Sequence, residues 1–180
     1  LYHAPAGGVG QIFAAWGKSL GLNVIGTVSS DAKAEIARKS GCAHVINYST
    51  EDFVERVLEI TDGAGVRAVF DSVGKDTFSK SLKAVATRGM VVVFGKASGD
   101  LPDINPFELA PRALQLSWPI LPQYVATRNE LIVATTDLFS AVRSGIVNAE
   151  PDRVYPFERL IDAHRDLEER RTVGATVLKI

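Results

Sequence analysis

The sequence predicts an α/β fold: a doubly wound parallel sheet of about six strands with helices on both faces. Three observations carry this expectation. Short runs rich in β-branched and aromatic residues alternate with segments of helical period along most of the chain. A glycine-rich turn, Gly7-Gly8-Val9-Gly10, stands between the first such run and the first helical segment. Residues 89–94 form an unbroken apolar run, as a strand covered on both faces requires.

The elements follow in order. Residues 1–3 are a strand stub ahead of the glycine turn, shorter than the roughly five residues of an ordinary strand. The helix after the turn carries Val9, Ile12, Phe13, Trp16 and Leu20 at helical spacing, and Gly21 closes it. Residues 23–28 read as the second strand, 31–40 as a short helix ended by Gly41, and 44–47 as the third strand. Ser49-Thr50-Glu51-Asp52 has the form of a helix start, with Phe53, Val54, Val57 and Leu58 facing inward. Residues 68–71 are expected as the fourth strand, 78–85 as helix and 89–94 as the fifth strand. A proline-rich loop follows, then a sixth strand over 114–118. Beyond it the βαβ rhythm breaks. Thr127-Arg128-Asn129-Glu130 has the form of a capping box, and the helix after it carries Leu131, Ile132, Leu138, Phe139 and Val142. A second helix is expected over 157–169 and a last strand over 175–180.

Composition narrows the function. The formal net charge is −1 with no run of like charge, which gives no support to a nucleic-acid or membrane-surface role. No apolar stretch has the length of a bilayer span. Cys42 is the only cysteine, which fits a reducing, cytoplasmic setting and leaves no disulfide within the chain. His3, His44 and His164 have no ligand spacing, so no metal site is expected.

The chemistry lies in the turn. Glycines between a strand and a helix let the backbone approach a pyrophosphate, and the helix N-terminus then offers free N–H groups and the positive end of its dipole. Pro5 stands where the full fingerprint has its first glycine, and a plain tight turn is the bland alternative. The end of the second strand selects the cofactor. An NAD site places an acid there. This strand ends Thr27-Val28-Ser29-Ser30, with Asp31 beginning the next helix and Lys33 in its first turn. Hydroxyls and a cation suit a 2′-phosphate, so NADP is expected over NAD. Other ligand contacts are expected at the carboxyl ends of the strands: Tyr48, Ser72, Phe94-Gly95 and Ser117-Trp118. For Tyr48 and Phe94 plain packing is the alternative.

These residues resemble a known family. His3 to Gly10, Gly26-Thr-Val-Ser-Ser30 with Lys33, Val45-Ile-Asn-Tyr48, Val69-Phe-Asp-Ser-Val-Gly74 and Phe94-Gly95 are similar to the zinc-independent quinone oxidoreductases, the zeta-crystallin-like branch of the medium-chain dehydrogenases. The resemblance runs to Glu169-Arg-Arg-Thr-Val-Gly174. It implies a Rossmann-type fold and reduction of a quinone or conjugated carbonyl by NADPH. It places Gly7, Gly8 and Val9 at the pyrophosphate and Ser29, Lys33, Tyr48 and Arg170 around the 2′-phosphate. Ser72 lies along the cofactor, and Phe94, Gly95, Lys96, Ala97, Leu116, Ser117 and Trp118 line the nicotinamide side. Lys96 and Ala97 depart from the small polar residues common in that loop, and Ala175 from a frequent lysine. No catalytic acid or base is assigned in the chain, since a quinone is already electrophilic and orientation in a dry site is what it needs.

On this reading residues 1–125 are the cofactor domain, its first strand truncated, and 126–180 return toward a substrate domain absent from the sequence. The expected activity is NADPH-dependent quinone reduction. An alkenal or enoyl reductase, or a non-catalytic NADPH-binding protein, is the alternative. These residues alone are expected to bind nucleotide weakly and not to turn over, with a poorly anchored tail. A homodimer joined through strand 114–118 is expected, because its apolar edge has no charged guard.

Overall fold

The computed structural model describes residues 1–169 and 171–180. Strand β1 (Tyr2–His3) runs into the glycine turn and helix α1 (Gly8–Ser19). There follow β2 (Ile25–Val28), α2 (Asp31–Ser40), β3 (His44–Asn47), α3 (Phe53–Ile60), β4 (Val66–Asp71), α4 (Phe78–Ala84) and β5 (Val85–Val93). A 3₁₀ turn over Pro106–Arg112 leads to β6 (Gln115–Ser117). All neighbouring strands pair in parallel in the order β3-β2-β1-β4-β5-β6. This is the doubly wound order, and its switch point lies between β1 and β4.

Two cores sandwich the sheet. On one face α3 and α4 bury Phe53, Val57, Phe78 and Ala84 against Ile25, Val69, Val91 and Val93. Each large side chain there contributes about 2 kcal/mol by leaving water. On the other face α1 and α2 bury Ala14, Ala34 and Ala37 against Tyr2, Val24 and Val28. Of the large residues expected on α1, Phe13 packs against Tyr2 and Phe70 with ring centroids 4.5 and 4.7 Å apart. The fully buried stripe is Gly10, Ala14 and Gly17, while Val9 and Leu20 are exposed. A Cβ on Gly10 would stand 2.5 Å from the Ala4 carbonyl oxygen and 2.6 Å from Pro5 Cα, so the backbones meet closely at this point.

Two boundaries and one burial pattern differ from expectation. Helix α3 starts later than the Ser49–Asp52 signal implied: Asp52 is its N-cap and accepts from the Val54 and Glu55 amides at 2.8 and 3.3 Å. The expected helix over 78–85 gives way at Val85, which is extended and opens β5 by pairing with Val66. A register shift between Val66 and Ala68 absorbs the mismatch, with Arg88 at φ 60° and Gly89 packed where a Cβ would stand 2.6 Å from Val85 Cγ2. The run 89–94 is buried on one face at Val91 and Val93 and half-buried on the other, so in this structure it is not covered on both.

The tail holds α5 (Leu121–Tyr124), α6 (Arg128–Arg143), β7 (Arg153–Pro156), α7 (Leu160–Glu168) and β8 (Thr176–Lys179). The Thr127–Glu130 capping box is present on α6, but Leu131, Ile132 and Phe139 are exposed and only Ala141 of the helix is buried. Strand β7, not foreseen, pairs in parallel with β8 as a separate two-stranded sheet. The tail is anchored where poor anchoring was expected: Gly174 bridges to Gly7, and its amide donates to the Ala6 carbonyl at 3.1 Å.

Candidate functional site

A cleft of about 680 Å³ opens at the carboxyl ends of the strands, beside the switch point. That is within the usual size of a small-molecule site. One wall begins at the glycine turn. Gly7, the N-cap of α1, is extended and carries no side chain to cap the helix, and the first turn holds no acid. Helices α2 and α3 are capped by Ser30 and Asp52. The α1 N-terminus is thus left with its amides and dipole for an outside anion, and a Cβ on Gly7 would meet nothing closer than the Ala4 oxygen at 3.4 Å. These residues fit a dinucleotide pyrophosphate.

The tip of β2 forms the next part. Ser29, Lys33 and Tyr48 all line the cleft. Ser30 accepts from the Lys33 amide at 3.4 Å and holds the first turn of α2, which carries the Lys33 side chain. Among the described residues Lys33 takes part in no ion pair. Tyr48 is exposed, and its amide donates to the Val28 carbonyl at 3.0 Å, which ties the ends of β2 and β3 together.

Of the other expected contact residues, Gly7 and Ala97 also line the cleft. Gly8 packs under the tail: a Cβ there would meet the Ala175 amide at 3.5 Å. Val9 is exposed on α1. Ser72 contributes its carbonyl, which accepts from the Ala97 amide at 3.2 Å, and Gly95 packs against that same backbone. Lys96 pairs with Asp100 at 2.5 Å and does not line the cleft. Phe94, Leu116, Ser117 and Trp118 lie at or beside the ends of β5 and β6, outside the cleft. Arg170 lies outside the described residues.

The floor of the cleft holds a polar chain that the sequence pattern did not reveal. Asp71 is fully buried and accepts from the Val73 and Gly74 amides at 2.9 and 3.0 Å and from the hydroxyls of Thr77 and Ser81 at 2.8 and 2.9 Å. A carboxylate can only accept, so Ser81 gives it its proton and must accept from His3 Nε2, 2.9 Å away. Nδ1 of His3 then accepts from Thr27 at 2.7 Å. The geometry assigns a neutral His3 with the proton on Nε2. Burial pushes its pKa down to about 4, against the opposing pull of Asp71. The available signal was Asp71 three residues before Gly74, the form of a side-chain-capped turn at a strand end. Leu167, Glu168 and Thr172 of the tail also line the cleft and were not foreseen.

Fold and cleft together define a dinucleotide-binding domain. The family model described as "Zinc-binding dehydrogenase" matches residues 8–132, and the chain belongs to that family, in its quinone oxidoreductase branch. It is 45% identical to a 2-haloacrylate reductase of Burkholderia sp over 99% of its length and 54% of that protein's. It is 44% identical to quinone oxidoreductase 1 of Escherichia coli K12, covering 55% of that protein. The crystal structure of E. coli quinone oxidoreductase complexed with NADPH superposes with a TM-score of 0.95 at 43% identity, over 99% of this chain and 56% of that one. The chain thus spans about half the length of the relatives it matches. Despite the family's name, no three His, Cys, Asp or Glu residues among those described are grouped to hold a metal ion. Nor is any helix among them long and apolar enough to cross a membrane.

Proposed function

We propose that this chain is the NADPH-binding half of a cytoplasmic reductase that delivers hydride to a quinone or a related conjugated carbonyl. One observation carries the reading: an uncapped glycine-turn helix and an acid-free β2 tip bearing Lys33 open into one cleft. Bound NADPH supplies the hydride. The chain's own residues orient it. The α1 amides receive the pyrophosphate, Ser29, Lys33 and Tyr48 surround the 2′-phosphate, and Ser72 and the 94–97 loop run toward the nicotinamide. Leu116, Ser117 and Trp118 flank that end. Residues 1–125 are the cofactor domain and 126–180 its link to the acceptor-binding part. The lone thiol, Cys42, is buried and its pKa is pushed up to about 11, which suits a structural role in a reducing compartment.

The cofactor reading is tested by titrating NADPH and NADH. NADPH should bind tighter, and Lys33→Glu should cut that preference roughly tenfold or more, because a like charge then opposes the phosphate. Equal binding of the two cofactors by the unaltered protein would overturn it. The likeness to a 2-haloacrylate reductase favours a second acceptor class, activated alkenes. NADPH oxidation by the full-length protein, with its acceptor-binding part, against a panel of quinones, enals and 2-haloacrylates separates the two. Oxidation with none of them would leave a non-catalytic NADPH-binding protein.

A further inference from the structure

The 2′-phosphate corner carries an acid as well as a cation, and the acid is restrained. Asp31 opens α2 directly beyond the β2 tip, two residues before Lys33. A free carboxylate there would repel a 2′-phosphate and attract a ribose 2′-hydroxyl. Its Oδ1 instead accepts from Nδ2 of Asn47 at 3.0 Å, across the gap between α2 and the end of β3. The Asn47 amide is itself fixed, because its Oδ1 accepts from the Ser49 amide at 3.2 Å. Neither member of the pair lines the cleft, although each lies within two residues of one that does, Lys33 and Tyr48. The other nearby acid, Glu51, is also engaged: it accepts from the backbone N–H of Asn47 at 3.3 Å and pairs with Arg56 at 3.0 Å.

We propose that Asn47 is a specificity-positioning residue: its side-chain amide clamps the Asp31 carboxylate outside the 2′-phosphate pocket and so preserves the preference for a 2′-phosphorylated nucleotide. The proposal rests on the NADPH reading of the cleft. Asn47 does not line the cleft; it acts through Asp31. The hydrogen bond removes the freedom of an otherwise exposed side chain to swing toward Lys33 and neutralise it.

The test uses two probes that differ only in the group concerned, 2′,5′-ADP and 5′-AMP, titrated calorimetrically against the protein. Asn47→Ala should weaken 2′,5′-ADP roughly five- to tenfold, the effect of one added charge near the solvent boundary, and leave 5′-AMP unchanged or tighter. Adding Asp31→Asn to Asn47→Ala should restore the original ratio, while Asp31→Asn alone should change it little. If Asn47→Ala leaves the ratio unchanged, or weakens both probes without rescue by Asp31→Asn, the clamp is refuted. So it is if Asp31→Asn raises the ratio equally in both backgrounds. An unaltered protein that binds the two probes equally would instead overturn the NADPH reading, which keeps the two failures distinct.

Discussion

His3 is held neutral by its surroundings, and this has a consequence for stability. Its ring is buried, donates to Ser81 and accepts from Thr27, and burial depresses its pKa from 6.5 to about 4. A depressed histidine stabilises the fold fully above its unfolded pKa. As pH falls from about 6.5 toward 4 the unfolded chain takes up a proton that the native ring refuses, and stability is lost across that window. Between pH 7 and pH 5 the loss from His3 is about 2 kcal/mol. Urea unfolding of the wild type and of His3→Gln at the two pH values isolates the ring, because only the wild type carries the histidine's slope. Equal slopes in the two proteins would refute a neutral buried His3.

Among the elements, the tail matters most to the cleft. It comes back to the glycine turn at one residue, Gly174, whose φ of 66° and whose contact with the Asp152 side chain leave no room for a Cβ. The Asp152 carboxylate also accepts from the Ala175 amide at 3.0 Å. Gly174→Val should break this junction by steric conflict and backbone strain together. Because Leu167, Glu168 and Thr172 line the cleft, NADPH affinity should drop several-fold, and trypsin should cut sooner at Arg171. Unchanged affinity and an unchanged digestion rate would mean that the junction supports nothing. This junction also marks the limit of what the sequence conveyed. Strands β2 to β5 and helices α2 and α3 were legible because each buries apolar residues of its own, and the helices are marked by a glycine or a side-chain cap, as at Gly41 and Asp52. Ser29, Lys33 and Tyr48 were legible because strand ends fix where a ligand lies. The His3–Asp71 chain joins residues 68 apart, and only tertiary packing makes a partner for each. Strand β7 escaped notice because Arg-Val-Tyr-Pro has no alternation of its own and pairs only with β8. On α1 Phe13 packs as expected, but Val9 and Leu20 misled because glycine and alanine fill the closest contacts with the sheet.

At the scale of the molecule, the two ends of the sheet are not alike. The edge at β3 opens on His44, which is exposed and polar. The edge at β6 presents Leu116, and Trp118, Ile120, Leu121 and Tyr124 follow it, all substantially exposed. In this structure the tail strands form their own sheet and leave that edge uncovered. An open edge with apolar neighbours tends to acquire a partner, and an identical edge met about a two-fold axis satisfies the free N–H and C=O groups of both. We therefore expect a homodimer joined antiparallel through β6, with the aromatic and aliphatic residues beyond it widening the contact toward the roughly 1,600 Å² of a stable interface. Light scattering should give twice the chain mass at micromolar concentration. Leu116→Glu is the decisive variant. About a two-fold axis through β6 its carboxylate would face its own copy, so the like charges should shift the protein to monomer while the sheet, whose cores lie elsewhere, keeps its unfolding midpoint. A wild-type monomer, or a variant that dimerises as well as the wild type, would move the interface away from this edge. The exposed apolar face of α6 would then be the next surface to test, by the same mass measurement on Phe139→Lys.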